Sequence, residues 1–188
     1  MVKGPVLTIA SAGGHLTQAL CIMRRTEHFH IVTSAKVELD VGAIAVHVIR
    51  DTQFNPFIHA LNIVSAFRII KATKPAAMFS TGGPICLPFA MLAKTMKIPF
   101  VYLDTLSRVQ ELSNSAKFLR RFNLADRLLT QWAGTAEKYP DIEYLGKTFA
   151  IDRMPSNTVP LAKPIQDLDT QLILDDGSDH IQINTSNT

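Results

Sequence analysis

Two glycine pairs, with the polar residues beside them, are where this chain could do chemistry. Ser11-Ala12-Gly13-Gly14-His15 follows the apolar run Val6 to Ala10, and Ser80-Thr81-Gly82-Gly83-Pro84 closes a second run that starts at Ala76. A strand that enters a glycine pair and then a helix leaves backbone N–H groups free and aims the positive end of the helix at whatever lies above the turn. An anion can approach such a backbone closely, because no Cβ stands in the way. The same residues would equally make a tight turn that binds nothing. Two familiar nucleotide motifs do not fit. The first turn does not end in the Gly-Lys-Ser/Thr of a Walker loop, and the acid that closes the second strand of a dinucleotide fingerprint is missing, since that strand ends Ile31-Val32-Thr33-Ser34.

The elements that must position these turns alternate. Strands are expected at Val6 to Ala10, Phe29 to Thr33, Ala45 to Ile49, Ala76 to Ser80, Pro99 to Leu103 and Arg127 to Gln131. Helices are expected from the first turn to about Arg25, from Pro56 to Thr73, from Ile85 to Met96 and from Ser113 to Leu124. Ser34 to Gly42 is polar and reads as a loop. Strands and helices alternating at this spacing predict an α/β fold, a Rossmann-like doubly wound parallel sheet. In such a sheet the loops after the carboxyl ends of the strands line one crevice, so both glycine turns and Asp104, Thr105, Ser107 and Arg108 should share an edge. The Pro56 helix has apolar residues over most of its circumference, which favours burial on more than one side over contact with lipid or a partner.

Length and composition bound the class. With 188 residues, 47% hydrophobic and 19% charged, the chain is long enough for one domain with a proper core. Cys21 and Cys86 have no partner pattern, so neither a disulfide framework nor a metal knuckle is indicated. His28 and His30 share a strand face, but with no third ligand in view no metal site is expected. The N-terminus does not read as a signal peptide, and no uninterrupted run of about 18 apolar residues predicts a spanning helix. From Ile151 onward six acids stand against Arg153 and Lys163, a net of −4, which leaves +7 on residues 1–150. A body this basic is drawn to anionic lipid, nucleic acid or phosphorylated substrates. The expected division is therefore a folded domain over 1–149 and an acidic, poorly ordered tail over 150–188.

Several phrases in order resemble one family. Ser11-Ala12-Gly13-Gly14-His15, Ser80-Thr81-Gly82-Gly83-Pro84, Tyr102-Leu103-Asp104-Thr105-Leu106-Ser107-Arg108, Ala125-Asp126 with Gln131-Trp132, and Tyr144-Leu145-Gly146 together resemble the Alg14-like family, which includes bacterial exopolysaccharide proteins of the PssD and CpsF type. The resemblance implies the N-terminal, acceptor-binding half of a GT-B glycosyltransferase. It also implies a chain at the cytoplasmic face of a membrane that handles a lipid-diphosphate-linked sugar acceptor and recruits an Alg13-like donor-binding chain. Three positions depart from the usual pattern: Gln18 and Asp104 stand where the family has glutamates, and Ala116 stands where it has glycine.

Sugar transfer from a nucleotide donor to a hydroxyl needs a base near that hydroxyl and fixed positive charge for phosphates. His15 and Asp104 are the candidate catalytic residues. Their alternatives are a helix-start histidine bonded to backbone and an aspartate that caps a loop or pairs with Arg108. Ser11, Gly13, Gly14, Thr81, Gly82, Gly83, Ser107 and Arg108 are the candidate phosphate or acceptor contacts; arginine suits a bidentate pairing with phosphate, although a solvated surface arginine reads the same. Gln131 and Trp132 are assigned to partner contact or to structure. The expected function is a membrane-peripheral, acceptor-binding subunit of a two-chain glycosyltransferase that uses a UDP-sugar, with no cofactor and no nucleic-acid partner. A non-catalytic scaffold or activator, and a self-sufficient small transferase, are the other readings.

Overall fold

The computed structural model describes residues 4–148 apart from 25, 27, 37–42 and 52–55. The acidic segment 150–188 and most of the expected 34–42 loop lie outside the described residues. The elements in chain order are β1 (Val6–Ala10), α1 (Gly14–Met23), β2 (Phe29–Thr33), β3 (Ala45–Val48), α2 (Pro56–Thr73), β4 (Ala77–Gly82), α3 (Cys86–Met96), β5 (Phe100–Leu103), α4 (Asn114–Arg121), β6 (Arg127–Thr130), α5 (Ala133–Lys138) and β7 (Glu143–Tyr144).

The strands form one sheet in the order β3-β2-β1-β4-β5-β6-β7, with every neighbouring pair parallel. This is the doubly wound arrangement that the alternation predicted. Leu7, Ile9, Ile31 and Val32 have no exposed surface, as strands covered on both faces require. From β1 the chain turns one way to β2, and from β4 it turns the other way to β5. Because strand–helix–strand crossovers are right-handed, α1 and α3 fall on opposite faces of the sheet. Leu16, Ala19, Leu20 and Met23 of α1 pack with Phe29 and Ile31 on one side. Residues of α2, α3 and α4, among them Ala66, Ile70, Phe89 and Leu119, pack with Leu7, Ile9 and Met78 on the other. The chain therefore parts between the carboxyl ends of β1 and β4, where the two glycine turns stand.

Local chemistry sets the helix ends. Ser113 caps α4 by accepting the Ala116 N–H at 3.1 Å. α3 stops where Lys97 turns left-handed, at φ 56°, and returns its N–H to the Ala93 carbonyl.

Some expectations are corrected. α2 is buried along one side only: Ala66 and Ile70 face the core, whereas Phe57, Leu61 and Val64 are 81%, 55% and 53% exposed and Phe67 is also exposed. Hydropathy around a helix cannot say how much of its circumference the sheet can cover. β4 runs two residues further than expected, through Thr81 and Gly82, because Ala10 of β1 pairs with Gly82. β6 ends one residue before the expected Gln131, and α4 is four residues shorter than expected, one at its start and three at its end. α5 and β7 were missed; α5 has six residues and little apolar periodicity, and both residues of β7 are exposed.

Phe89 has no exposed surface and lies where α3 meets the sheet. Phe89→Ala is expected to lower stability by about 3–5 kcal/mol, the usual cost of emptying a buried aromatic site. Urea unfolding followed by circular dichroism measures it; a loss below about 1 kcal/mol would mean that α3 is not packed as described.

Candidate functional site

The first glycine turn opens α1 without a side-chain cap. Gly13 takes φ 92°, a left-handed value suited to glycine, and α1 starts at Gly14. The Ala12 N–H is taken by the Ser34 hydroxyl at 3.0 Å, Leu16 N–H by the Ser11 carbonyl and Thr17 N–H by the Gly13 carbonyl. Among the described residues the N–H groups of Gly13, Gly14 and His15 have no acceptor. No atom lies within 4 Å of where a Cβ on Gly13 or Gly14 would stand, and both residues are exposed. This is open space above unpaired donors at the positive end of a helix.

The second turn is built differently. Gly82 and Gly83 are buried, at φ 127° and 89°. A Cβ on Gly82 would meet the His15 ring 2.5 Å away, and one on Gly83 would fall on the Ser11 side chain. These glycines therefore make room for side chains of the first turn. Hydrogen bonds close the same contact: His15 Nδ1 is 2.9 Å from the Thr81 carbonyl, and the Thr81 hydroxyl donates to the His15 carbonyl at 2.7 Å. A carbonyl only accepts, so Nδ1 carries the proton, and in the neutral ring Nε2 keeps the lone pair. His15 thus combines its expected alternative, a bond to backbone, with a basic nitrogen left over. The Ser11 hydroxyl is buried with no partner among the described residues. Thr81, Gly82 and Gly83, expected to contact phosphate, are all buried against the first turn.

Asp104 is tied to backbone on both sides of its loop. It is 2% exposed; Oδ1 accepts the Thr105 N–H at 2.9 Å and Oδ2 the Ser113 N–H at 3.0 Å. It holds the two ends of the 104–113 loop together, which is the loop-cap alternative, and it makes no ion pair with Arg108. Arg108 and Ser107 are exposed on that loop. The loop's outer part is held from the β6–α5 side: Trp132 Nε1 donates to the Leu106 carbonyl at 3.1 Å, and the Thr135 hydroxyl to the Val109 carbonyl at 3.0 Å. Glu111 accepts from Lys138 and from the Tyr139 hydroxyl, and these bonds pull its carboxyl down to about 2. Gln131, expected like Trp132 in partner contact or in structure, donates to the Asp104 carbonyl of the same loop at 2.9 Å. Sequence reasoning missed Ser34, Thr135, Tyr139 and Thr148; the hydroxyls had no spacing to mark them.

Other polar groups nearby are inert. Burial pushes the Cys86 thiol up to about 12 and the Tyr102 phenol well above its usual range, so neither supplies a nucleophile near neutral pH. No group of three His, Cys, Asp or Glu among the described residues is arranged to hold a metal ion.

Residues 41–148, more than half of the chain, match the family model described as oligosaccharide biosynthesis protein Alg14 like. The chain is 34% identical over 88 residues to the human UDP-N-acetylglucosamine transferase subunit ALG14, which covers 44% of this chain and 40% of that protein. It is 31% identical over 100 residues to the Schizosaccharomyces pombe subunit of the same name, covering 50% and 47%. The match thus spans between two fifths and a half of the length of these relatives. Among solved structures, MurG of Acinetobacter baumannii superposes with a TM-score of 0.58 at 17% identity, over 76% of this chain and 45% of that one. The UDP-N-acetylglucosamine 2-epimerase of Rickettsia bellii gives 0.57 at 16%, over 77% and 45%. At these identities the likeness concerns the fold, a Rossmann-like α/β unit of the kind found in GT-B enzymes.

The two glycine pairs should respond oppositely to a single methyl group. Gly83→Ala is expected to cost roughly 2 kcal/mol or more, because it combines a left-handed backbone with a clash against Ser11. Gly14→Ala, with helical backbone and empty space, should hold or slightly raise the melting temperature. Thermal unfolding of both variants decides it, and equal effects would refute the stacking of one turn on the other.

Proposed function

Because this chain belongs to the family of Alg14-like oligosaccharide biosynthesis proteins, we propose that it is the acceptor-binding, membrane-associated subunit of a two-chain glycosyltransferase. In this reading a sugar passes from a UDP-sugar, held by an Alg13-like chain, to a lipid-diphosphate-linked acceptor held here. The observation that carries it is the open first turn, where three unpaired amides and the start of α1 converge. The acceptor diphosphate lies over Gly13 and Gly14, and Arg108 with Ser107 closes on it from the 104–113 loop. His15 Nε2 takes the proton of the attacking hydroxyl as the sugar–phosphate bond breaks and UDP leaves with the electron pair. Thr81, Gly82, Gly83 and Asp104 hold these groups in place. The working domain is 1–149, with 150–188 as an acidic extension.

Membrane association is proposed to be peripheral and on the cytoplasmic side. Among the described residues no helix is long and apolar enough to cross a membrane. α2, α3 and α4 form one layer with no acidic residue in any of them. Their outer surface carries Leu61, Val64, Phe67, Met91, Phe118 and Phe122 beside exposed Arg68, Lys71, Lys94 and Lys117. Apolar side chains among cations suit an anionic lipid surface.

Gly14→Val places a branched side chain where the diphosphate approaches while the fold has room for it. Transfer by the reconstituted complex is expected to fall at least tenfold, about 1.4 kcal/mol of transition-state binding, with an unchanged melting temperature. Full activity in the folded variant would end the phosphate assignment and favour the scaffold reading.

Sedimentation with vesicles containing anionic lipid should be strong at low salt and weak at about 0.5 M, where the Debye length has shrunk to a few ångströms. Leu61→Ser combined with Val64→Ser should reduce it at low salt. Binding that survives both high salt and the double substitution would show that the contact lies elsewhere.

A further inference from the structure

Gln131, just past the end of β6, joins two parts of the site through one amide, and a third is reached by way of Thr148. Its Nε2 donates to the Asp104 carbonyl at 2.9 Å, at the root of the 104–113 loop. Its Oε1 accepts the Thr148 N–H at 3.0 Å and also the Thr148 hydroxyl. That hydroxyl in turn accepts from Gln18 Nε2 at 3.4 Å, and Gln18 sits on α1 one turn beyond the glycines. The amide orientation of Gln131 follows from its partners, since an N–H can only donate and a carbonyl can only accept. Gln131 is 1% exposed and Gln18 2%, so a lost partner would leave a polar group stranded in the interior.

Among the described residues these bonds are the one side-chain path from α1 to the 104–113 loop. Trp132 and Thr135 hold the loop's outer part, but neither reaches α1. The segment that supplies the link, Leu145–Thr148, follows β7 and is pinned at its start by the Leu145 N–H on the Thr130 carbonyl. Thr148 is 130 residues from Gln18 in sequence, so the bond exists only because the chain returns over the sheet edge. The neutral amide of Gln18 is a donor to Thr148, whereas a carboxylate at that position could only accept.

We infer that Gln131 and Thr148 are positioning residues, a buried latch through which the segment Leu145–Thr148 fixes the separation of the α1 glycine turn and the loop that carries Ser107 and Arg108. The consequence for ligand affinity rests on the acceptor-site reading above; the latch itself does not. Removing the Thr148 hydroxyl breaks the link to α1 and half of the link to Gln131 while leaving the side-chain volume in place. Both walls then move more freely, and an anion that must touch both binds more weakly.

The test compares the full chain with Thr148→Val, Thr148→Ser and Gln131→Glu by amide hydrogen exchange and by titration with inorganic pyrophosphate. Thr148→Val should speed exchange about tenfold both in the 105–112 loop and at Gly13 to Leu16, with β1, β4 and β5 unchanged. Thr148→Ser, which restores the hydroxyl, should match the wild type. Gln131→Glu, which cannot donate to the Asp104 carbonyl, should loosen the loop. Pyrophosphate affinity should fall about fivefold in Thr148→Val and recover in Thr148→Ser. Faster exchange confined to 145–148, or spread evenly over the core strands, overturns the latch. If the wild type does not bind pyrophosphate at all, the phosphate reading fails, and the exchange pattern still decides the latch.

Discussion

The arrangement depends on one close contact, the seating of Ser11 and His15 against a backbone that has no side chains at Gly82 and Gly83. Neither glycine pair would make the site alone. Gly82 and Gly83 give up their Cβ atoms so that the first turn can lie on the second, and the reciprocal bonds between His15 and Thr81 fix the imidazole. That contact leaves Gly13 and Gly14 facing outward with unpaired amides. One pair is therefore consumed in packing and the other is free for a ligand, although the two look alike in sequence.

The opposite wall is held by a different device. The 104–113 loop has no regular structure of its own, yet its carbonyls at 104, 106 and 109 are each met by a side chain from the β6–α5 segment. Asp104 ties its ends from within. A loop carrying exposed Ser107 and Arg108 is thus held along its length from the β6–α5 side. Asp104 belongs to this scaffolding because its carboxylate is already satisfied by two backbone donors.

The helix layer over the far face shows the limit of reading burial from hydropathy. α2 carries apolar residues over most of its circumference, but the sheet and α3 can cover only the side that holds Ala66 and Ile70. Among the described residues the apolar stripe from Leu61 to Phe67 is left on the surface, with Arg68 and Lys71 beside it.

Much of this was legible in sequence. The alternation of short apolar runs with helical periods determined the doubly wound sheet, because crossover handedness and strand length leave few other ways to bury those runs. The strand–glycine–helix spacing located both turns, and the strand expected to end at Leu103 placed Asp104 at the same carboxyl edge of the sheet. What sequence could not assign was the division of labour among equivalent residues. Whether a glycine faces a ligand or a neighbouring imidazole depends on what lies across the sheet edge, and His15 and Gly82 are brought together by the pairing of β1 with β4. That the Asp104 carboxylate accepts the Ser113 N–H cannot be read from its motif, and Thr148 carries no motif at all. These roles rest on contacts between residues nine to 130 positions apart, which only the closed tertiary structure decides.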